Sequence, residues 1–94
     1  MIRLSAEASA DLQDIADRIK DDNGASVASR VTEAIFEAIQ RLEQFPQLGR
    51  LGRVRNTREL GIARLPFVVV YQAFPNVIAV YRVIHGAMQW PLEE

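Results

Sequence analysis

The 94-residue chain contains no cysteine and only one lysine, Lys20. Without cysteine, neither disulfides nor thiolate metal sites can stabilise the fold, and this fits a reducing cytoplasm. The first residues lack the basic and apolar regions of a signal peptide. The longest apolar run, Leu65 to Tyr71, is too short to span a bilayer. We therefore expect a cytoplasmic protein without a membrane segment, folded as a single domain over residues 1–94.

Net charge is nearly absent as well, because 11 basic and 12 acidic side chains leave a formal charge of −1. That balance argues against a protein that binds nucleic acid by bulk electrostatics. The charges are unevenly placed, however. Residues 1–40 carry 4 basic and 8 acidic side chains, whereas residues 41–64 carry 6 basic and 2 acidic ones. The chain is thus neutral as a whole and basic in one segment.

Apolar residues recur at spacings of three and four in two segments, which is typical of amphipathic helices. The first predicted helix runs from Ala6 to Asp21, with Ser5 as its N-cap, and the second runs from Ala25 to Gln44. A short break at residues 22–24, where Asn23 could cap the second helix, predicts an antiparallel helical hairpin. The two stripes consist of Ala8, Leu12, Ile15 and Ile19, and of Val27, Val31, Ile35, Ala38, Leu42 and Phe45.

Strand signals surround this hairpin. A short strand is predicted at Ile2–Leu4, and a loop from Pro46 to Asn56 precedes a strand at Thr57–Ala63. Two stronger strands, Phe67–Phe74 and Val77–Ile84, are dense in valine and are joined by a turn. The order predicts an α+β fold in which an antiparallel helical hairpin packs on a small, largely antiparallel β-sheet.

The basic segment centres on residues 49–60, GRLGRVRNTREL. Arginines on a glycine-containing loop can offer paired N–H donors to phosphates or carboxylates. Arg50, Arg53 and Arg58 are therefore candidate contacts. Considered only as charges, they are explained at least as well by solvation or by pairing with the helical acids.

Two residues near the C-terminus are further candidates. His85 is the only histidine and could serve as an acid or base, although a lone histidine more often has a structural role. With no second histidine and no cysteine, we predict neither a metal site nor a cofactor. Trp90 either packs on the edge of the domain or anchors a partner.

Four short motifs, in order and at the expected separations, resemble the RelE/ParE toxin family of type II toxin–antitoxin systems. They are FPQLGR at residues 45–50, TREL at 57–60, PFVVVY at 66–71 and HGAMQWP at 85–91. The resemblance spans the full chain, because the two leading helices also match in length and order. It implies a RelE/ParE-like fold and a toxin neutralised by a cognate antitoxin, ParD-like in this case, whose C-terminal segment wraps the toxin.

The family has two classes of activity. ParE-like members inhibit DNA gyrase, whereas RelE-like members cut mRNA on the ribosome with lysines, arginines and sometimes Glu, His or Tyr on the open sheet face. RelE-like members are also strongly basic. This chain has its single lysine on the first predicted helix and a net charge of −1. We therefore predict a ParE-like gyrase inhibitor that acts by binding, without catalysis. The predicted contacts to gyrase or antitoxin are Arg50, Arg53, Arg58, Arg82, His85 and Trp90.

Two alternatives stay open. A ribosome-dependent mRNA endoribonuclease would use Arg58 or Arg82 to hold the scissile phosphate and His85 as acid or base. A non-toxic relative would only bind its antitoxin. Met88 bears on both, because the family pattern often has an arginine at this position. Its loss weakens the case for phosphate chemistry and raises the alternative of an attenuated toxin, whether natural or engineered.

Overall fold

The computed structural model describes residues 1–86 and 90–91. Residues 87–89 of the HGAMQWP motif lie outside the described residues, so the expectation attached to Met88 stays a prediction. The elements in chain order are β1 (Ile2–Leu4), α1 (Ala6–Asn23), α2 (Ala25–Arg41), β2 (Arg50–Leu51), β3 (Arg58–Gly61), β4 (Phe67–Phe74) and β5 (Val77–His85). This order confirms the predicted α+β class.

The strands form one mixed sheet in the order β1-β5-β4-β3-β2. Only β1 runs parallel to its neighbour, with Ile2 opposite Ile78, and the remaining pairs are antiparallel. The predicted largely antiparallel sheet is thus confirmed. Because β1 and β5 lie side by side, the chain between them crosses over through α1 and α2, and these two helices cover one face of the sheet.

The start of α1 follows the prediction, and its end does not. The Ser5 hydroxyl accepts a hydrogen bond from the Ala8 N–H at 2.9 Å and donates one to the Tyr81 carbonyl at 2.7 Å. The helix continues two residues past Asp21, to Asn23. The prediction that Asn23 caps the second helix is wrong, because Gly24, with φ of +92°, separates the two helices and donates its N–H to Lys20.

The second helix is shorter than predicted. It ends at Arg41, and the N–H groups of residues 42–44 donate to carbonyls three residues earlier, which tightens the last turn. Pro46 disfavours the helical conformation for Phe45 and so contributes to the early end. Leu42 keeps its predicted place in the core, but Phe45 is 56 % exposed and does not extend the apolar stripe.

The predicted loop at residues 46–56 contains the two-residue strand β2, so this part of the prediction is wrong. Arg50 lies opposite Glu59 and Leu51 lies opposite Arg58. A strand of two exposed residues has no periodicity by which it could be recognised. β3 is shorter than the predicted Thr57–Ala63, β4 has the predicted bounds, and β5 includes His85 at its end.

The core lies between the helical hairpin and one face of the sheet, which bears Val69, Tyr71 and Val83. Alternate residues of the strands point to the second face, where Val70 is 1 % exposed and Ile84 is 2 % exposed. The second face is therefore partly covered as well. No helix in the described part of the chain combines the length and apolar character needed to cross a membrane.

Candidate functional site

The buried carboxylate of Glu59 binds two arginines of residues 49–60, which we call the arginine segment. Glu59 lies on β3 between Arg50 and Val70 in the strand register, on the sheet face turned away from the helices, and is 2 % exposed. Its oxygens accept hydrogen bonds from the backbone N–H of Arg53 at 2.8 Å and from the Arg53 Nη2 at 2.9 Å. The Arg50 Nη2 donates a further bond at 3.2 Å. Two arginines are thus fixed to one acid.

The residues from β2 through β3, 50–61, form what we call the arginine hairpin. Its loop is closed by a hydrogen bond from the Gly52 N–H to the Thr57 carbonyl at 2.8 Å and by one from the Thr57 hydroxyl to Val54 at 2.6 Å. Asn56 adopts a left-handed φ of 66°, which asparagine tolerates in tight turns. The hairpin therefore presents Arg53 and the exposed Arg55 from an ordered turn.

The electrostatics of Glu59 follow from these contacts. Burial by itself raises the pKa of the carboxyl, but hydrogen bonds from the side chain and backbone of Arg53 and from Arg50 lower it more. The resulting pKa is about 2, below the usual 4.5. The same contact with Glu59 raises the pKa of Arg53. At neutral pH the acid is therefore fully ionised and neutralises one of the arginine charges nearest to it.

Arg58 has a different role from its neighbours. It pairs with the core residue Tyr71 in the register and so points to the helix side of the sheet. Its Nη1 donates to the Gly49 carbonyl at 2.8 Å. The Tyr71 hydroxyl accepts from the Gly49 N–H at 2.9 Å and donates to the Pro46 carbonyl at 2.8 Å. Arg58 and Tyr71 together fix the turn that leads into the arginine hairpin.

Replacing Gly49 with alanine should lower the free energy of unfolding by about 2 kcal/mol, because the position has no room for a side chain. An added Cβ would lie 2.8 Å from the Tyr71 Cε1 and 2.9 Å from the Glu59 carbonyl oxygen. Chemical denaturation of Gly49→Ala measures the loss. Gly61→Ala is the matched control, because its Cβ would meet nothing within 4 Å. Equal stability losses in the two variants would contradict the close packing at Gly49.

A second ion pair lies two strands away from the first. The Arg82 Nε and Nη2 donate to the two carboxylate oxygens of Asp11 on α1 at 2.7 and 3.0 Å. The Val83 N–H donates to the same carboxylate at 2.9 Å. This contact raises the pKa of Arg82. Because β1 pairs with β5 only as far as Val80, Asp11 occupies the strand edge beyond the end of β1.

Asp11 does not belong to the apolar stripe predicted for the first helix. Its side chain is 15 % exposed and fastens α1 to β5. The same arginine also lies over Trp90, with the Arg82 guanidinium carbon 5.4 Å from the indole centroid. The buried Trp90 Nε1 has no acceptor among the described residues. His85 lies at the end of β5 and packs edge-on against Phe67, with ring centroids 6.0 Å apart.

The structure brings some of the predicted site residues together and separates others. Strand register places Arg50, Glu59 and Val70 in one row across the sheet, on the face away from the helices, and Arg82 follows in the same row with its guanidinium bound to Asp11 of α1. Arg58 points to the opposite face. Arg58 and Arg82 therefore do not share one phosphate position, whereas the ribonuclease alternative requires only one of them together with His85.

Three residues that build this surface were missed by sequence reasoning. Glu59 carried a signal, since it is the only acid within the arginine segment. Asp11 and Tyr71 carried none, because their partners lie 71 and 22 to 25 residues away in the chain. Within residues 1–86 and 90–91, no group of three or more His, Asp or Glu side chains is placed to hold a metal ion.

Comparisons with known proteins agree with the fold and with the motifs. The family model described as "ParE toxin of type II toxin-antitoxin system, parDE" matches residues 2–90. A protein of Sinorhizobium fredii named "Putative toxin Y4kP" is 39% identical over 72 residues, which are 77% of this chain and 72% of that protein. A solved chain from "Chromosomal ParDE TA system from P. aeruginosa" superposes with a TM-score of 0.83 at 26% identity and covers 89% of this chain and 92% of its own.

Proposed function

Because this chain belongs to the ParE toxin family of type II toxin–antitoxin systems, we propose that it inhibits DNA gyrase by binding and that a ParD-like antitoxin neutralises it. The observation that carries the proposal is the arrangement of the candidate cations. RNA cleavage needs an acid, a base and cations around one phosphate. Here Arg58 donates to the Gly49 carbonyl in a turn on the helix side of the sheet, and Arg82 is paired with Asp11 of α1 at the edge of β5.

The same contacts suit a binding surface. Arg50 and Arg53 are held by Glu59, and their side chains are still 70 % and 42 % exposed. Guanidinium groups fixed in this way can meet carboxylates of a protein partner without losing much further conformational freedom. Together with Arg82 and Trp90, they form the contact surface that we assign to the target, with His85 at its edge.

An antitoxin partner is supported by the match to a ParDE system and by exposed apolar side chains. Phe45, Leu48 and Leu51 are 56 %, 48 % and 78 % exposed, close to one another in the chain at the base of the arginine hairpin. Apolar groups of this size favour association with a partner segment that folds as it binds. We place the toxin–antitoxin complex in the cytoplasm, where gyrase acts.

Induction of the toxin without antitoxin should arrest growth and relax a reporter plasmid. Plasmid topology on chloroquine gels and primer extension on translated mRNA would be measured from the same cultures. Loss of negative supercoils with intact mRNA supports the gyrase proposal. Arrest with codon-positioned cuts and normal supercoiling would replace it with the ribonuclease, and normal growth would replace it with a relative that only binds antitoxin.

A further inference from the structure

The arginine hairpin combines exposed cations with a hidden acid. Arg50, Arg53 and Arg55 are exposed, whereas Glu59 lies beneath the first two and is 2 % exposed. A solvated arginine samples many rotamers and loses that freedom when it binds. Here two of the three arginines are fixed before any partner arrives.

We propose that Glu59 is the positioning residue of the toxin's contact surface, and that it holds Arg50 and Arg53 so that their outward N–H groups bind carboxylates of the target protein. This inference rests on the proposed function. Glu59 is not itself a contact, because its side chain is buried and its oxygens are occupied by the two arginines. It acts only through their geometry.

The donor pattern leaves both arginines able to bind outward. Arg53 uses its Nε and Nη2 for Glu59, at 3.2 and 2.9 Å, and within the described residues its Nη1 makes no such bond. Arg50 uses its Nη2, and among the described residues none of its other nitrogens donates to Glu59. Since both Nη2 atoms bond to the same Glu59 oxygen, the two guanidinium groups lie side by side. Such a pair matches the two oxygens of a carboxylate or two neighbouring carboxylates.

Carboxylates suit this surface better than a nucleic-acid backbone does. The eight acidic side chains of residues 1–40 and the net charge of −1 give the chain no long-range attraction for a polyanion. The hairpin cations are few and already share one buried negative charge. A local match to acidic side chains on a folded protein requires only those few guanidinium groups.

An explanation based on charge and one based on the positions of the arginines predict opposite changes in binding strength for Glu59→Gln. The substitution makes the hairpin more positive by one unit, so attraction by charge alone would strengthen binding to an acidic surface. If Glu59 acts by positioning, the released arginines regain their rotamer freedom and binding weakens despite the added charge. The sign of the change therefore separates the two explanations.

The experiment titrates purified toxin into a gyrase supercoiling reaction. We expect Glu59→Gln to raise the half-inhibitory concentration about tenfold, whereas Asp22→Asn, an equal charge change at the exposed end of α1, leaves it unchanged. The triple variant Glu59→Gln, Arg50→Gln, Arg53→Gln should be no weaker than the double variant Arg50→Gln, Arg53→Gln, because Glu59 acts through these two arginines. A Glu59→Gln toxin as potent as wild type, or losses that add, would overturn the inference.

Two further measurements keep the inference testable if Glu59→Gln folds poorly or if gyrase is not the target. Arg53→Lys preserves the charge at an exposed position but lacks the guanidinium fork, and it should also lose potency. In nitrogen-15 NMR, the Arg53 Nε–H should give a slowly exchanging signal that Glu59→Gln abolishes. An unchanged signal would be enough to refute the positioning role of Glu59.

Failure of wild-type toxin to inhibit gyrase refutes the proposed function instead. Duplex DNA binding that requires the hairpin arginines, with gyrase inhibition unaffected by them, would overturn the assignment to carboxylates.

Discussion

Replacing Asp11 with alanine should lower the free energy of unfolding by about 3 kcal/mol, a large fraction of the stability margin of a small domain. The Asp11 carboxylate accepts three hydrogen bonds, two from Arg82 and one from the Val83 N–H. The side chains of Arg82 and Asp11 are 23 % and 15 % exposed, so water replaces the lost acceptor only in part. Urea denaturation at pH 7 measures the change.

Asp14→Ala is the matched control, because Asp14 lies one turn further along α1 and is exposed. We expect its stability to stay within about 0.5 kcal/mol of wild type. The Asp11 substitution should also disturb the target surface, since Arg82 would lose the contact that fixes it beside Trp90. Equal stabilities for the two variants would show that the Asp11 contact with β5 contributes little.

Acidification should remove the contribution of Glu59 to stability, up to about 3 kcal/mol. The pKa of Glu59 is lowered from 4.5 to about 2 in the folded protein. A group whose pKa is depressed by folding stabilises the fold above its unfolded value and loses that contribution as the pH falls toward its folded value. The loss should therefore develop between about pH 4.5 and pH 2.

The comparison with Glu59→Gln isolates this effect from the titration of other acids. The stability difference between wild type and Glu59→Gln should be largest above pH 5 and should shrink steadily below pH 4.5. Denaturant unfolding at a series of pH values provides both curves. A difference independent of pH across this range would mean that the ionised carboxylate is not the source of the stabilisation.

Much of the fold could be predicted from periodicity. Ile35, Ala38 and Leu42 lie in the core where their helical spacing placed them, and β4 has its predicted bounds because its valine-rich run is continuous. The ends of the helices were harder to predict from the sequence. Gly24, with its left-handed backbone, and the tight turn after Arg41 set those ends, and neither changes the apolar spacing.

The candidate site could be predicted only in part. The arginine segment was visible because it differs in composition from the rest of the chain. The division of its arginines between the two faces of the sheet was not visible. Arg53 and Arg58 belong to the same sequence cluster but point to opposite faces. That division depends on the pairing of β2 with β3, which two exposed residues could not reveal. Long-range partners such as Asp11 and Arg82 require the fold itself.

The most direct test of the central claim, that this ParE-family toxin acts by binding gyrase, is a supercoiling assay with purified components. Relaxed plasmid, gyrase and ATP would be incubated with increasing amounts of antitoxin-free toxin. We predict that supercoiling falls with toxin concentration and that added cognate antitoxin restores it. Full supercoiling activity at saturating, correctly folded toxin would contradict the account.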